Sequence, residues 1–150
     1  MTEIKMLRDG VKLDEITAIE NFSFTCPWSR QSFEAVLSSD GAFIAEAEDS
    51  GHTVGFSCVT VIPPEVELMN IAVDEKHRKK GIAASLLDFS IKKAVSMGGE
   101  TMYLEVRESN AAARHLYEKF GFEIIGIRRN YYTLPRENAV IMRLDLKTER

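Results

Sequence analysis

The chain has 150 residues, of which 45% are hydrophobic and 28% charged, and its formal net charge at pH 7 is −4. That length fits a single domain over residues 1–150, and the composition is that of a globular protein rather than a disordered or fibrous one. The negative charge argues against a general nucleic-acid-binding protein, and the lack of an apolar run of ~20 residues or an N-terminal signal core predicts a cytoplasmic protein without a membrane partner.

Hydrophobic periodicity and turn residues divide the chain into alternating groups of strands and helices. Strands are predicted over residues 2–8, 43–48, 54–61, 65–73, 101–107, 122–128 and 139–146. Helices are predicted over residues 14–24, over 29–37, from 83 to the Met97-Gly98-Gly99 turn, and from Ser109 or Asn110 to about 120. This order predicts an α/β fold with a mixed sheet that is covered by helices on both faces.

Residues 78–83, between the strand that ends at Val73 and the next helix, read Arg-Lys-Lys-Gly-Ile-Ala. Backbone N–H groups at a helix N-terminus have no partner inside the helix and carry the positive end of its dipole, so they bind anions. Gly81 and Ala83 allow a ligand close to the main chain, and Arg78, Lys79 and Lys80 add positive charge. The segment predicts a pyrophosphate-binding turn; the alternative is a basic turn without a ligand, because short glycine motifs match by chance.

The strand at 101–107 and the helix after it carry two side chains that can move protons. Glu105 lies on the strand, and Tyr117 lies two turns into a helix capped by Ser109 or Asn110. A glutamate held on a strand can act as a general base, and a tyrosine phenol can give a proton to a departing thiolate. The structural alternative pairs Glu105 with Arg107 on one strand face and makes Tyr117 a half-buried core aromatic.

Aromatic side chains mark a candidate surface for an extended peptide. Residues 128–135 are predicted to lie between the last two strands, and Tyr131 and Tyr132 are candidate walls of a substrate slot. Ordinary packing of a long hairpin explains these two tyrosines equally well. Trp28, which follows Pro27, is interpreted as a core anchor in preference to a residue that borders the same slot.

The cysteines and histidines indicate neither a disulfide framework nor a metal site. Cys26 and Cys58 are far apart in the sequence, and Cys58 reads as a small buried residue of a strand. The three histidines, at positions 52, 77 and 115, do not have the spacing of metal ligands.

Together these segments resemble the GNAT superfamily of N-acetyltransferases, whose phosphate-binding turn follows an Arg/Gln-x-x-Gly-x-Gly/Ala pattern. More narrowly, the chain is similar to the RimI-type ribosomal-protein-alanine N-acetyltransferases. The segments that carry this resemblance are Cys26-Pro27-Trp28-Ser29, Asn70-Ile71-Ala72-Val73, Leu104-Glu105-Val106-Arg107, Ser109-Asn110-Ala111-Ala112-Ala113, Leu116-Tyr117-Glu118, Gly121-Phe122 and Arg128-Arg129-Asn130-Tyr131-Tyr132. The likeness covers nearly the whole chain and is weakest in the N-terminal third, and Ala83 stands where a second glycine is commoner.

The resemblance implies a three-layer fold, with a central mixed and mostly antiparallel sheet between helices, and acetyl-CoA as the co-substrate. It implies that the backbone of Ile71, Ala72 and Val73 meets the acetyl group and pantetheine arm. It also implies that Glu105 accepts a proton and Tyr117 donates one. The coenzyme's pyrophosphate would be held by Lys79, Lys80, Gly81, Ile82, Ala83 and Ala84, with Asn110 binding the coenzyme further along.

The reaction expected from this resemblance is direct transfer from acetyl-CoA to an amine, without a covalent enzyme intermediate. Only a neutral amine attacks, and deprotonation at pH 7 costs about 1 kcal/mol for an α-amine of pKa near 7.8, against about 4.6 kcal/mol for a lysine. This difference favours a protein N-terminus, and the resemblance implies the N-terminal alanine of a small-subunit ribosomal protein. The alternatives are another amine, such as a lysine, a polyamine or an antibiotic, and a catalytically silent acyl-CoA-binding module that regulates a partner protein.

Overall fold

The computed structural model of the chain describes residues 2–147. Its seven strands are β1 (Thr2–Met6), β2 (Ala42–Asp49), β3 (His52–Ile62), β4 (Glu65–Val73), β5 (Thr101–Arg107), β6 (Glu123–Thr133) and β7 (Arg136–Asp145). Its helices are α1 (Leu13–Ser23), α2 (Arg30–Leu37), α3 (Ile82–Ser96) and α4 (Ala111–Lys119), with a short 3₁₀ turn at Glu75–His77. The element order predicted from the sequence is therefore confirmed, apart from the 3₁₀ turn. No helix of the part described here is long and apolar enough to span a bilayer.

The prediction for the last two strands was wrong at their facing ends. Residues 128–135 do not form a long connection, because β6 runs to Thr133 and β7 starts at Arg136. The register jumps from the Arg128–Ala139 pair to the Tyr132–Glu137 pair, so three residues of β6 face one residue of β7. Asn130 lies in this bulge with a φ of 53°, and its backbone N–H donates to the Asn138 side chain. The bulge interrupts the alternation of side chains by which the strand would have been recognised.

The strands form one mixed sheet in the order β1-β2-β3-β4-β5-β7-β6. Every neighbouring pair is antiparallel except β4 and β5, which are parallel. These two strands pair only over their first three residues, from Glu65–Thr101 to Glu67–Tyr103. A bulge at Met69 bends β4 just beyond that point, because Cys58 faces Asn70 while its neighbour Val59 faces Leu68. The sheet therefore splits between β4 and β5.

Helices cover both faces of the sheet, which gives the three layers predicted for the fold. Leu13, Ile16 and Phe33 of α1 and α2 share one buried cluster with Phe56 and Cys58 of β3. On the opposite face, Leu87 and Ile91 of α3 and Tyr117 of α4 share another with the alternating residues Met102, Leu104 and Val106 of β5. The split between β4 and β5 thus connects the two faces.

Two helix starts are capped as their sequences predict. The Ser29 side chain accepts a hydrogen bond from the Ser32 N–H at the start of α2, and Asn110 accepts from the Ala113 N–H at the start of α4. The α3 helix differs, because no side chain caps its N-terminus.

Candidate active site

The split between β4 and β5 leaves strand backbone without a strand partner. Residues 68–73 of β4 remain paired with β3, but on their other side no residue of β5 is in register with them. Backbone N–H and C=O groups at such an edge are available to a ligand. Ile71, Ala72 and Val73, which the resemblance assigns to the acetyl and pantetheine arm, lie along this edge. One carbonyl is already in use, because the Arg78 Nε donates to the Val73 oxygen at 3.0 Å.

The N-terminus of α3 has the features of an anion site. Gly81 precedes the helix with a φ of 80°, and Lys79 also has a positive φ, of 63°. A Cβ built on Gly81 would meet no atom within 4 Å, so the space in front of the turn is open. The N–H groups of Ile82, Ala83 and Ala84 belong to the first turn, which no side chain caps, and they are free to bind phosphate oxygens.

Arg78 has a different environment from the two lysines that follow it. Its guanidinium donates to the Val73 carbonyl and to the Ser23 hydroxyl and lies 5.8 Å from the centre of the Phe22 ring. The side chain therefore fastens the turn to the end of β4 and to α1. Lys79 and Lys80 are exposed beside Gly81 and can supply charge to a bound pyrophosphate.

Glu105 lies on the face of β5 opposite the Met102, Leu104 and Val106 core, with 22% of its side chain exposed. Its Oε2 forms an ion pair with the Arg128 Nε at 2.6 Å. The structural alternative, a pair between Glu105 and Arg107, is not observed, because Arg107 pairs with Glu137. The Arg128 side chain is 58% exposed, so it can leave Glu105 without disturbing the core.

Tyr117 is a core residue, only 5% exposed, and its ring packs against Phe122 at 5.6 Å between centroids. The structural alternative described a half-buried core aromatic, and the ring is more completely buried than that. Burial raises the pKa of Tyr117 well above its usual range, and the nearby Tyr132 raises it further. The raised pKa keeps the phenol protonated near neutral pH, which is the form that a general acid requires.

Tyr131 and Tyr132 lie on β6 rather than in a loop, and their rings meet edge to face at 5.1 Å. The charge of Glu105 raises the pKa of Tyr131, and burial followed by the same charge raises the pKa of Tyr132 to about 12. Arg128 links this pair of rings to Glu105, because it pairs with the carboxylate and lies 5.5 Å from the centre of the Tyr131 ring. Tyr117 lies on the other face of the sheet, in the core with α3.

Trp28 lies mainly with the core of the α1–α2 face, as its interpretation as an anchor predicts. It is partly buried, and its ring lies 5.4 Å from that of Phe33. Asn110, predicted to contact the coenzyme, uses its side-chain oxygen to cap α4, which leaves its amide N–H groups for a ligand.

Two polar networks were not predicted from the sequence, and only the first of them is fully buried. Glu20 is 1% exposed and accepts hydrogen bonds from the Trp28 N–H at 2.8 Å and from the Asn70 amide at 3.0 and 3.2 Å. A signal existed, since Glu20 falls on the apolar stripe that Leu13 and Ile16 begin in α1. The second network, around Arg107 and Glu137, joins residues distant in sequence and had no such signal.

No group of three or more histidine, cysteine and acidic side chains within residues 2–147 is arranged to hold a metal ion. Cys58 is buried in β3, as its interpretation as a small core residue requires, and burial raises its pKa.

The free edge of β4 and the uncapped N-terminus of α3, which follows β4 in the chain, together offer one ligand an extended backbone edge and an anion site. The chain belongs to the acetyltransferase (GNAT) family, whose model matches residues 13–122. It is an N-acetyltransferase of that family, which transfers acetyl groups from acetyl-CoA. The residues present fit this co-substrate, because the open space at Gly81 adjoins free N–H groups.

Individual relatives agree with this assignment. The [ribosomal protein bS18]-alanine N-acetyltransferase of Escherichia coli K12 is 38% identical over 130 residues, covering 85% of this chain and 87% of the relative. The enzyme of the same name from Haemophilus ducreyi is 37% identical over 133 residues, covering 85% and 90%. The crystal structure of the E. coli ribosomal-protein-S18-alanine N-acetyltransferase superposes with a TM-score of 0.90 at 35% identity, covering 100% of this chain and 97% of that one. The resemblance to RimI-type enzymes is confirmed.

Proposed function

We propose that this protein acetylates the N-terminal α-amine of a protein, with the N-terminal alanine of a small-subunit ribosomal protein as its acceptor. The observation that carries the proposal is the position of Glu105, a carboxylate on the face of β5 beside the split between β4 and β5. The relatives named for this reaction on ribosomal protein bS18, at 38% and 37% identity, support the choice of acceptor.

The co-substrate, acetyl-CoA, would supply an activated thioester. The N–H groups at the start of α3 and the exposed Lys79 and Lys80 would hold its pyrophosphate. The free edge of β4 at residues 71–73 would hold its pantetheine arm as an added strand would be held, and the amide of Asn110 would contact it further along. This arrangement directs the thioester into the split, where both faces of the sheet can be reached.

Glu105 would take the proton from the acceptor amine. An incoming α-ammonium group would replace the Arg128 guanidinium as the partner of Glu105, because both are cations and the arginine can move aside. The neutral amine would then attack the acetyl carbonyl. Removing the proton from an α-amine costs about 3.5 kcal/mol less than from a lysine at pH 7, which suits a site with a single carboxylate base.

Tyr117 would give its proton to the departing thiolate, and the second proton that the nitrogen loses as the amide forms would return the phenol to its protonated form. It lies on the α3–α4 face of the sheet, whereas Glu105 lies on the other face, so the proton acceptor and the donor approach the split from opposite sides. A protonated phenol in a buried position retains its proton until a strong base forms beside it.

The test is tandem mass spectrometry of a peptide with an N-terminal alanine and one internal lysine, after incubation with the protein and acetyl-CoA. Acetate on the α-amine is expected, with no transfer to a control peptide of the same sequence whose N-terminus is blocked. Acetate on the lysine would contradict the proposal and assign a different amine. Binding of acetyl-CoA without transfer to the peptide would contradict it as well.

A further inference from the structure

Arg107 lies two residues beyond Glu105 on the same face of β5, about 7 Å along the strand. Its guanidinium donates four hydrogen bonds to groups from two distant parts of the chain. It bonds to the Leu134 and Pro135 carbonyls of the β6–β7 turn at 3.2 and 2.9 Å, and to the Glu137 carboxylate at 3.2 Å. It also bonds to the Thr25 hydroxyl, in the connection between α1 and α2, at 3.2 Å.

The guanidinium has one further contact, and its Glu137 partner is itself held by a second hydrogen bond. It lies over the Tyr132 ring, 4.3 Å from the ring centre, which is a favourable cation–π distance. The Glu137 carboxylate that accepts its hydrogen bond also accepts one from the Ser109 N–H, immediately before the Asn110 cap of α4. Arg107 therefore joins the β6–β7 turn, the α1–α2 connection and, through Glu137, the start of the helix that carries Tyr117.

The joined segments flank the approach to Glu105. Thr25 belongs to the α1–α2 connection, residues 24–29, and Tyr131 and Tyr132 belong to the strand that leads into the β6–β7 turn. Both segments lie on the face of the sheet to which Glu105 points. An acceptor that reaches Glu105 from this face passes between them, so their separation sets the width of the entrance.

We propose that Arg107 is a positioning residue for the peptide acceptor: by bonding to Thr25 and to the β6–β7 turn together, it fixes the distance between the two walls of the entrance. The inference rests on the proposed function. Charge alone is not sufficient for this role. The Arg107 Nη2 donates both to Thr25 and to Leu134, and a lysine nitrogen would lie one bond short of that position, with too few donors for all four acceptors. The Glu137 carboxylate balances the positive charge, so an incoming ammonium group is not repelled.

The principal test is Arg107→Lys, which keeps the charge and loses the span. We expect the KM for the alanine peptide to rise about tenfold or more, because walls that are no longer held together make fewer contacts with the bound peptide. The KM for acetyl-CoA should stay within about twofold, since none of the groups bonded by Arg107 lies on the edge of β4 or at the start of α3. If Arg107 only stabilised the fold, Arg107→Lys would leave both KM values unaltered.

The matched control is Arg136→Lys, the same substitution at an exposed arginine of the same hairpin. It should leave both KM values within about twofold of the wild type. Thr25→Val provides a milder variant that removes only the bond to the α1–α2 connection. It should raise the peptide KM about threefold in the wild-type protein and have no further effect when combined with Arg107→Lys, since that bond is already lost.

Hydrogen exchange of the ligand-free protein separates this inference from the proposed function. In Arg107→Lys the amides of residues 24–29 and 130–136 should exchange about fivefold faster than in the wild type or in Arg136→Lys. If the wild type does not acetylate the peptide, the proposed function fails and exchange alone decides whether Arg107 holds the two walls. Unchanged exchange, or an unchanged peptide KM in an active enzyme, would overturn the role of Arg107.

Discussion

The hydroxyl of Tyr117 is the most informative single group for separating catalysis from packing. The ring fills a core position against Phe122, and no hydrogen bond to the hydroxyl is found within residues 2–147. Tyr117→Phe removes only that hydroxyl. We therefore expect kcat to fall about 100-fold, the loss typical of a removed general acid, with a melting temperature within about 2 °C of the wild type.

Steady-state kinetics at saturating acetyl-CoA, together with a thermal melt, measures both quantities. Tyr103→Phe is the control, because Tyr103 lies on β5 and has no proposed role in the reaction. A Tyr117→Phe enzyme with full turnover would leave Tyr117 with packing as its only role.

Glu20 makes the pH dependence of stability predictable. Burial raises its pKa, against the opposing hydrogen bonds from Trp28 and Asn70. The folded protein therefore holds a proton that the unfolded chain releases, and stability falls as pH rises from about 4.5 through the folded-state pKa. Glu20→Gln removes this titration, so its free energy of unfolding relative to the wild type should increase between pH 4.5 and 7.

The Asn70 oxygen offers a reason why glutamine should be accepted at position 20. That oxygen is buried and has no hydrogen-bond partner, and a flipped Asn70 amide could accept a bond from the glutamine. Glu20→Ala is the contrasting variant, because it leaves buried donors unpaired and should be about 3 kcal/mol less stable than Glu20→Gln at all pH values. Urea unfolding at a series of pH values measures the stability of both variants. If the free energies of unfolding of Glu20→Gln and the wild type changed in parallel with pH, the raised pKa assigned to Glu20 would be contradicted.

At the scale of elements, the turn into α3 allows the conformational role of a glycine to be distinguished from a role in ligand binding. Gly81 has a φ of 80° and precedes the candidate anion site, whereas Gly51 has a φ of 82° in the β2–β3 turn. A Cβ at either glycine would have no other atom within 4 Å. Alanine at either position should cost about 1 kcal/mol from backbone strain alone.

Only Gly81→Ala should also weaken coenzyme binding, because its methyl group occupies the space that a phosphate would enter. We expect its Kd for CoA to rise about tenfold, and that of Gly51→Ala to stay unchanged, by isothermal titration calorimetry. Equal CoA affinity in the two variants would place the pyrophosphate elsewhere.

The elements show where sequence patterns are sufficient and where they are not. α2 could be predicted because Ser29 caps it, and β5 because its buried and exposed residues alternate without interruption. The facing ends of β6 and β7 could not, because the bulge at Asn130 breaks the alternation and the two-residue turn at Leu134–Pro135 resembles the end of a loop. Local periodicity predicts regular strands, and a bulge is by nature irregular.

At the scale of the whole molecule, the coenzyme should act as a stabilising ligand that joins the edge of β4 to the start of α3. Binding to the folded state alone stabilises it by about 2.7 kcal/mol at a ligand concentration of 100 Kd. For a protein of this size, that corresponds to a rise of about 5–10 °C in melting temperature. Differential scanning fluorimetry with acetyl-CoA should show this rise, and the rise should be smaller for Gly81→Ala at the same concentration.

The same scale explains which parts of the candidate site could be proposed from the sequence. Glu105, Tyr117 and the turn at 78–83 belong to short continuous motifs, so the sequence pointed to them and to the family. The Arg107 network joins residues 25, 107, 134, 135 and 137, which approach one another only in the folded chain. The alternative that paired Glu105 with Arg107 failed for the same reason, since Arg128 comes from a strand that pairs on the far side of β7.

The most direct test of the account is the turnover of Glu105→Gln on the N-terminal alanine peptide, measured by mass spectrometry at saturating acetyl-CoA. We predict a fall in kcat of at least about 100-fold with the Kd for acetyl-CoA unchanged, because the amide cannot take the proton of the α-amine. Glu108→Gln, an exposed glutamate in the turn after β5, serves as the control and should retain full turnover. Full turnover of Glu105→Gln would contradict the assignment of the base and, with it, the mechanism proposed for this site.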